Sequence, residues 1–189
     1  MEPMAKNPNH ILTYANISFD PTAPRPEDIV LEDIAHALSM MTRANGHFRT
    51  FYSVAQHSLN CSREAEHRGL SDRIRLACLL HDASEAYLSD ITRPVKHRLP
   101  GYVDYERTLQ GLIYEKFGPA AMTPEELAHL KAIDDALMHH EFKRLHGSAI
   151  YQDEPELRSD PDFSEKPHAA VEKEFLFLLK QLTGNAAPE

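Results

Sequence analysis

The stretch "LACLLHDASEAYLSD", Leu76 to Asp90, decides how the chain is read. Ile74, Ala77, Cys78 and His81 recur at i, i+3, i+4 and i+7, an apolar stripe of helical period that ends on a histidine. The spacing predicts a helix that starts at Ser71, a good N-cap, and runs toward Tyr87 with His81, Asp82 and Glu85 on it, Glu85 one turn further along the same face. Burying an unpaired carboxylate costs several kcal/mol, and a divalent cation is one of the few partners that satisfies a histidine and an aspartate together. With 12 histidines in 189 residues a His-Asp dipeptide means nothing by itself. Its place at the end of an apolar turn is what points to a metal site.

Working outward, each flank reads as helix. Upstream, "PEDIVLEDIAHALSMMTR" gives a first helix from Pro26 to Arg43, and a second runs from Phe51 to Arg68 and stops at Gly69, a C-terminal glycine signal. Downstream, "SDITRPVKHRLPG" breaks the pattern at Pro94, Pro100 and Gly101. A fourth helix covers Val103 to Phe117. The fifth opens on "TPEE", with Thr123 as N-cap, Pro124 at the first position and Glu126 completing a capping box, and continues to Leu145. An acidic loop over 150–168 and a last helix over 169–182 close the chain. Residues 1–26 form an extended arm with a short strand at "HILTYANISF". The fold class is all-α: one domain over 1–189 with its core at 31–145, a bundle of about six helices behind an N-terminal arm.

Composition narrows the function classes. A net charge of −9 argues against holding polymeric nucleic acid by phosphate neutralisation, which needs a basic face. A small anionic substrate remains compatible if a metal or a few Lys and Arg side chains supply local positive charge. No signal-peptide core and no run of about 18 apolar residues occurs, so no membrane partner is expected and the expected location is cytoplasmic. Cys61 and Cys78 form no CxxC pair and read as core thiols in a reducing compartment.

His81 and Asp82 need ligands from other helices. His57 flanks the apolar face of the second helix, which should pack beside the third as a hairpin. On the fifth, Leu127, Leu130, Asp134, Leu137 and Glu141 follow at three- or four-residue steps, placing Asp134 within the buried stripe while Asp135 turns about 100° away toward Lys131 and His139. The candidate metal ligands are therefore His57 and Asp134, beside His81 and Asp82, with an ordinary core or surface histidine as the alternative for His57.

These residues in this order resemble the H…HD…D signature of the HD-domain superfamily of metal-dependent phosphohydrolases, over about Asp33 to Leu145. The segments "FYSVAQHS", "LLHDASEAYLSDITRPVK" and "KAIDDALMHHE" are similar to the bacterial branch that includes the 5′-deoxynucleotidases. Members of that branch carry an arginine followed by tryptophan upstream of the first ligand histidine. This chain has no tryptophan, and Arg43 is followed by "ANGHFR". The resemblance implies an HD-domain bundle, hydrolysis of a small phosphomonoester such as a (deoxy)nucleoside 5′-monophosphate, and a homodimer.

A divalent metal on two imidazoles and two carboxylates lowers the pKa of a bound water and neutralises a phosphoryl oxygen. The mixed nitrogen and oxygen set suits Mn, Co, Fe, Ni or Zn over Ca, with Mg also open. Glu85 is placed to orient or deprotonate the attacking water, a role the resemblance also implies. Asp90 is a candidate for proton handling, or equally an N-cap for a turn at Ile91. Arg43, Arg49, Arg93 and Lys96 are candidates to grip a phosphate, with Arg43 and Lys96 nearest the motif segments, and His47 is a candidate substrate contact. Two other readings share the ligand set: a diiron oxygenase, recruiting His47, Glu85 or His139, and a non-catalytic nucleotide-binding module.

Overall fold

The computed structural model describes residues 7–184, so the first six residues of the arm and the tail after Gly184 lie outside the described residues. Helix dominates, as expected. Six long helices, α1 (Leu31–Met40), α2 (Val54–His67), α3 (Asp72–Leu80), α6 (Pro100–Phe117), α7 (Pro124–Glu141) and α8 (His168–Leu182), are joined by two single turns, α4 (Glu85–Leu88) and α5 (Arg93–Lys96). The strand expected at the N-terminus is a small antiparallel hairpin, β1 (Ile11–Leu12) against β2 (Ser18–Phe19), in register Ile11 to Phe19 and Leu12 to Ser18. It docks through Phe19, which is buried and stacks on Tyr87 at 4.2 Å between ring centroids.

α2 is the central helix. All its residues except Arg63, Glu66 and His67 are buried. Val54, Ala55 and Leu59 meet Ile34 and Leu38 of α1, Leu76, Leu79 and Leu80 of α3, and Val171, Phe175 and Leu179 of α8 in the main core. A second core joins Cys61 and Ala65 of α2 to Ile74 and Cys78 of α3 and Ile133 and Leu137 of α7, so both cysteines are core thiols. Ser53 caps α2, accepting from the Gln56 amide at 3.1 Å while the Gln56 side chain accepts from Ser53 N. The helix therefore starts after the expected Phe51. At its other end Gly69, with φ 73°, completes a Schellman motif: Gly69 N donates to Glu66 O and Leu70 N to Ala65 O.

A third face of α2 is polar and equally covered. Gln56, Asn60 and Glu64, four residues apart, tie the segment 157–164 to the helix: Gln56 Nε2 donates to Ser164 O, Asn60 Nδ2 to Asp162 O, and Glu64 accepts from Arg158 N, Ser159 N and Ser159 Oγ. The stretch expected to be a surface loop is a strap fixed to the central helix.

Two further helix boundaries and one expectation about burial are corrected. α1 ends at Met40 because Thr42 pairs with Ser53 in a bridge, and Ala44, Asn45 and Gly46 then turn with φ of 52°, 51° and 76°. Leu127, expected in the buried stripe of α7, is exposed, while Leu130, Leu137 and Glu141 do face inward. Most important, the HDASE segment is not continuous helix. Gln110 of α6 inserts its amide where the Leu80–Ser84 helical bond would lie, donating from Nε2 to Leu80 O at 2.7 Å and accepting from Ser84 N at 3.1 Å. The ladder tightens to i→i+3 bonds, Ala83 N to Leu80 O and Glu85 N to Asp82 O, so α3 stops at Leu80 and His81 and Asp82 occupy a turn.

Candidate metal centre

The four expected ligands meet. His57 lies on α2, His81 and Asp82 in the turn after α3, and Asp134 on α7. His57 Nε2 is 3.2 Å from His81 Nε2 and 3.2 Å from Asp134 Oδ1, and His81 Nε2 is 3.2 Å from Asp82 Oδ2. The longer separations are 3.8 Å, His81 Nε2 to Asp134 Oδ1, and 3.9 Å, His57 Nε2 to Asp82 Oδ2. Ligand bonds of about 2.0–2.2 Å place neighbouring donors of a four- or six-coordinate ion about 2.8–3.6 Å apart, with wider angles giving more. The spacing suits one cation.

Hydrogen bonding behind the rings sets which nitrogens face inward. His57 Nδ1 meets Glu141 Oε1 at 2.6 Å, and His81 Nδ1 donates to the Cys78 carbonyl at 2.8 Å. A carboxylate and a carbonyl only accept, so each neutral ring carries its hydrogen on Nδ1 and turns the Nε2 lone pair forward. Two lone pairs and two carboxylate oxygens then converge on one point. Carboxylate or carbonyl behind a histidine is also the usual support of a metal-ligating imidazole.

The electrostatics express the same conflict. Burial and the Arg43 charge oppose protonation of His57, yet Glu141 and Asp134 outweigh them and raise its pKa. Burial likewise opposes protonation of His81, but Asp82 and Asp134 carry it well above its ordinary value. Against their own burial, Asp134 and Asp82 are held below the usual carboxylate range by the imidazoles that face them, Asp134 by His57 and then His81 and Asp82 mainly by the His81 charge. Arg43, half-buried, stays charged because Glu141, Asp82 and Asp134 surround it, with Nη1 3.1 Å from Asp82 Oδ2.

Cys61 offers a second donor set, since its sulfur lies with the nitrogens of His57 and His81 within ligand-forming range. Its Sγ is 3.5 Å from His57 Nε2 and 3.9 Å from Nδ1, nearly equidistant, which puts it against the flank of the ring rather than ahead of the Nε2 lone pair. Burial pushes the Cys61 thiol well up, whereas the facing imidazoles hold the two aspartates below the usual carboxylate range. The carboxylates are the better partners for the two imidazoles.

Glu85 and Asp90 both approach the cluster. Burial, then Asp82 and Asp90, push the Glu85 carboxyl well above its ordinary value, and its buried Oε2 has no hydrogen-bond partner among the described residues. Asp90 is raised by burial, against the pull of Arg43. Thr92, not Asp90, takes the N-cap position of α5. Asp90 follows Ser89, whose φ of 76° and ψ of 153° belong to a region nearly reserved for glycine. The Tyr102 hydroxyl donates to Ser89 O at 2.6 Å and holds that conformation.

Of the expected substrate contacts, Arg43 is spent on Asp82, Asp134 and Glu141. Lys96 pairs with Glu106 beside the Tyr102 ring. His47 and Arg49 are exposed, and among the described residues neither side chain has an ion pair or hydrogen bond to the cluster. Sequence reasoning missed Glu141 as a site residue, although it stands seven residues after Asp134 on the same stripe, and it missed Cys61.

No protein-family model matches the chain. It is similar to the uncharacterized protein YfdR of Escherichia coli, 38% identical over 122 residues, which are 64% of this chain and 66% of that protein. It is also similar to an uncharacterized protein of Rhodobacter capsulatus, 38% identical over 130 residues, 66% of each chain. The matches thus leave about a third of each relative's length unaligned. Among the described residues no helix is long and apolar enough to cross a membrane.

Proposed function

We propose that the protein is an HD-domain, metal-dependent phosphohydrolase that cleaves a small phosphomonoester, with a (deoxy)nucleoside 5′-monophosphate as the leading substrate. One observation carries this reading: four acceptor atoms, on His57, His81, Asp82 and Asp134, face one point while Glu141 and Cys78 fix the ring hydrogens on the far side. A divalent ion held there supplies a water of lowered pKa and a positive charge for a phosphoryl oxygen. Arg43 keeps the two aspartates in place, and Glu141 orients the His57 ring. Glu85 is the proton-handling group. Its unpartnered Oε2 takes the proton of the attacking water or returns it to the leaving oxygen, and burial beside Asp82 and Asp90 moves its pKa upward, toward the working pH of a general acid or base. Asp90 assists from the adjoining turn.

The diiron reading needs further ligands at this point. Of the three it would recruit, His139 is occupied elsewhere, accepting from Tyr151 N at 3.2 Å, and His47 is exposed, which leaves Glu85 alone beside the cluster, and one carboxylate does not complete a second iron site. The test is a panel of nucleotides and other phosphomonoesters with Mn, Co, Ni, Zn or Mg added. Phosphate release is expected, and Asp82→Ala should abolish it together with metal retention. A protein that releases no phosphate with any metal contradicts the proposal. Nucleotide binding without turnover would assign the non-catalytic reading instead.

A further inference from the structure

A phosphate dianion entering this site meets Asp82, Asp134, Glu141, Glu85 and Asp90, and must find positive charge from the protein as well as from any bound ion. Three basic side chains reach the cluster or its edge. The Arg43 side chain is only 13% exposed and shared among three carboxylates, and Lys96 is committed to Glu106. Arg93 differs from both. It stands at the first position of α5 with 52% of its side chain exposed, and its carboxylate contacts run through one nitrogen, Nη2, 3.2 Å from Asp134 Oδ2 and 3.4 Å from Asp135 Oδ1. A guanidinium has five N–H donors in a planar fork, so most of its capacity is unspent on carboxylates.

Its position is specific. Asp134 turns Oδ1 toward His57 and Oδ2 toward Arg93, so the guanidinium sits immediately outside the ligand set. Two separate parts of the chain, α5 and α7, thereby place a half-exposed cation at the edge of the cluster.

We infer that Arg93, held at the edge of the cluster by Asp134, grips a phosphoryl oxygen of the substrate and sets its affinity. The inference rests on the phosphohydrolase reading and deepens it. A forked guanidinium matches two phosphate oxygens, whereas lysine offers a point charge.

The test measures metal content, KM, kcat and inhibition by inorganic phosphate for wild type, Arg93→Ala and Arg93→Lys. Arg93→Ala should raise KM and the phosphate inhibition constant roughly 10- to 100-fold, with a smaller change in kcat and metal content unchanged. Arg93→Lys should recover part of the loss. Unchanged KM and phosphate inhibition in Arg93→Ala, with an active wild type, overturns the inference and leaves the proposed function standing. Loss of metal with unchanged KM at saturating metal also overturns it, because Arg93 would then act only through Asp134. If the wild type hydrolyses nothing, the proposed function fails, and calorimetric titration of inorganic phosphate into the Mn-loaded protein decides about Arg93. Binding weakened in Arg93→Ala supports the contact. Equal binding, or none in wild type, overturns it.

Discussion

Glu64 and Glu85 are both buried, at 0% and 4% exposure, and they stand in opposite surroundings. Glu64 faces the strap side of α2 and accepts from Arg68 Nε at 2.7 Å, Ser159 Oγ at 2.6 Å, Ser159 N at 2.8 Å and Arg158 N at 3.1 Å. Despite the cost of burial these donors lower its pKa. Glu85 has an Oε2 without a hydrogen-bond partner among the described residues and is driven upward by burial and by Asp82 and Asp90. A buried carboxylate with all its donors in the fold is a clasp. One without them is the group to which we assign proton transfer.

The comparison breaks most visibly in paired variants. Glu85→Gln should lower kcat by roughly 10²- to 10⁴-fold, the usual worth of a general acid or base, with stability within about 0.5 kcal/mol of wild type. Steady-state kinetics and urea unfolding check both halves, and full activity in this variant removes Glu85 from the mechanism. Glu64→Ala should do the reverse. Leaving Arg68 and the strap donors without their acceptor costs about 3 kcal/mol of unfolding free energy while metal binding persists. A stability equal to wild type would show that the strap does not depend on Glu64.

The same clasp predicts a pH dependence. Because the folded-state pKa of Glu64 lies below its ordinary value of 4.5, its stabilisation is complete above that value and is lost as pH falls through the folded value. The stability difference between wild type and Glu64→Gln should therefore shrink from pH 7 to pH 3, and a constant difference would contradict the clasp. The smallest effect belongs to the site side. Ser89→Gly relieves a residue held at φ 76° and should raise stability by about 1 kcal/mol in thermal or urea unfolding. A destabilised variant would show that the serine conformation carries no strain.

Local signals explain what was legible in the sequence. The Thr123–Glu126 capping box forms as read, with Thr123 Oγ1 accepting from Glu126 N and Glu126 Oε2 from Thr123 N. The helical stripe pointed to Asp134, whose Oδ1 faces His57, while Asp135 pairs with Lys131 as its direction suggested; burial does not separate them, since their side chains are 21% and 24% exposed. Contacts between residues far apart in sequence were not legible. Nothing near residue 81 announces that Gln110 will interrupt the helix, and the four-residue spacing of Gln56, Asn60 and Glu64 on an otherwise buried helix finds its partners about 100 residues downstream. Glu141 could have been found: a carboxylate on the buried stripe of Asp134 needs a partner as much as Asp134 does.

The central claim is that two imidazoles and two carboxylates, not the thiol beside them, hold a single divalent cation. Calorimetric titration of Mn or Co into metal-free protein tests it, with circular dichroism confirming that each variant is folded. One ion per chain is predicted for wild type and for Cys61→Ser, with binding lost in His57→Ala, His81→Ala, Asp82→Ala and Asp134→Ala. Binding that survives in both aspartate variants and disappears in Cys61→Ser would contradict the account and assign the ion to His57, Cys61 and His81.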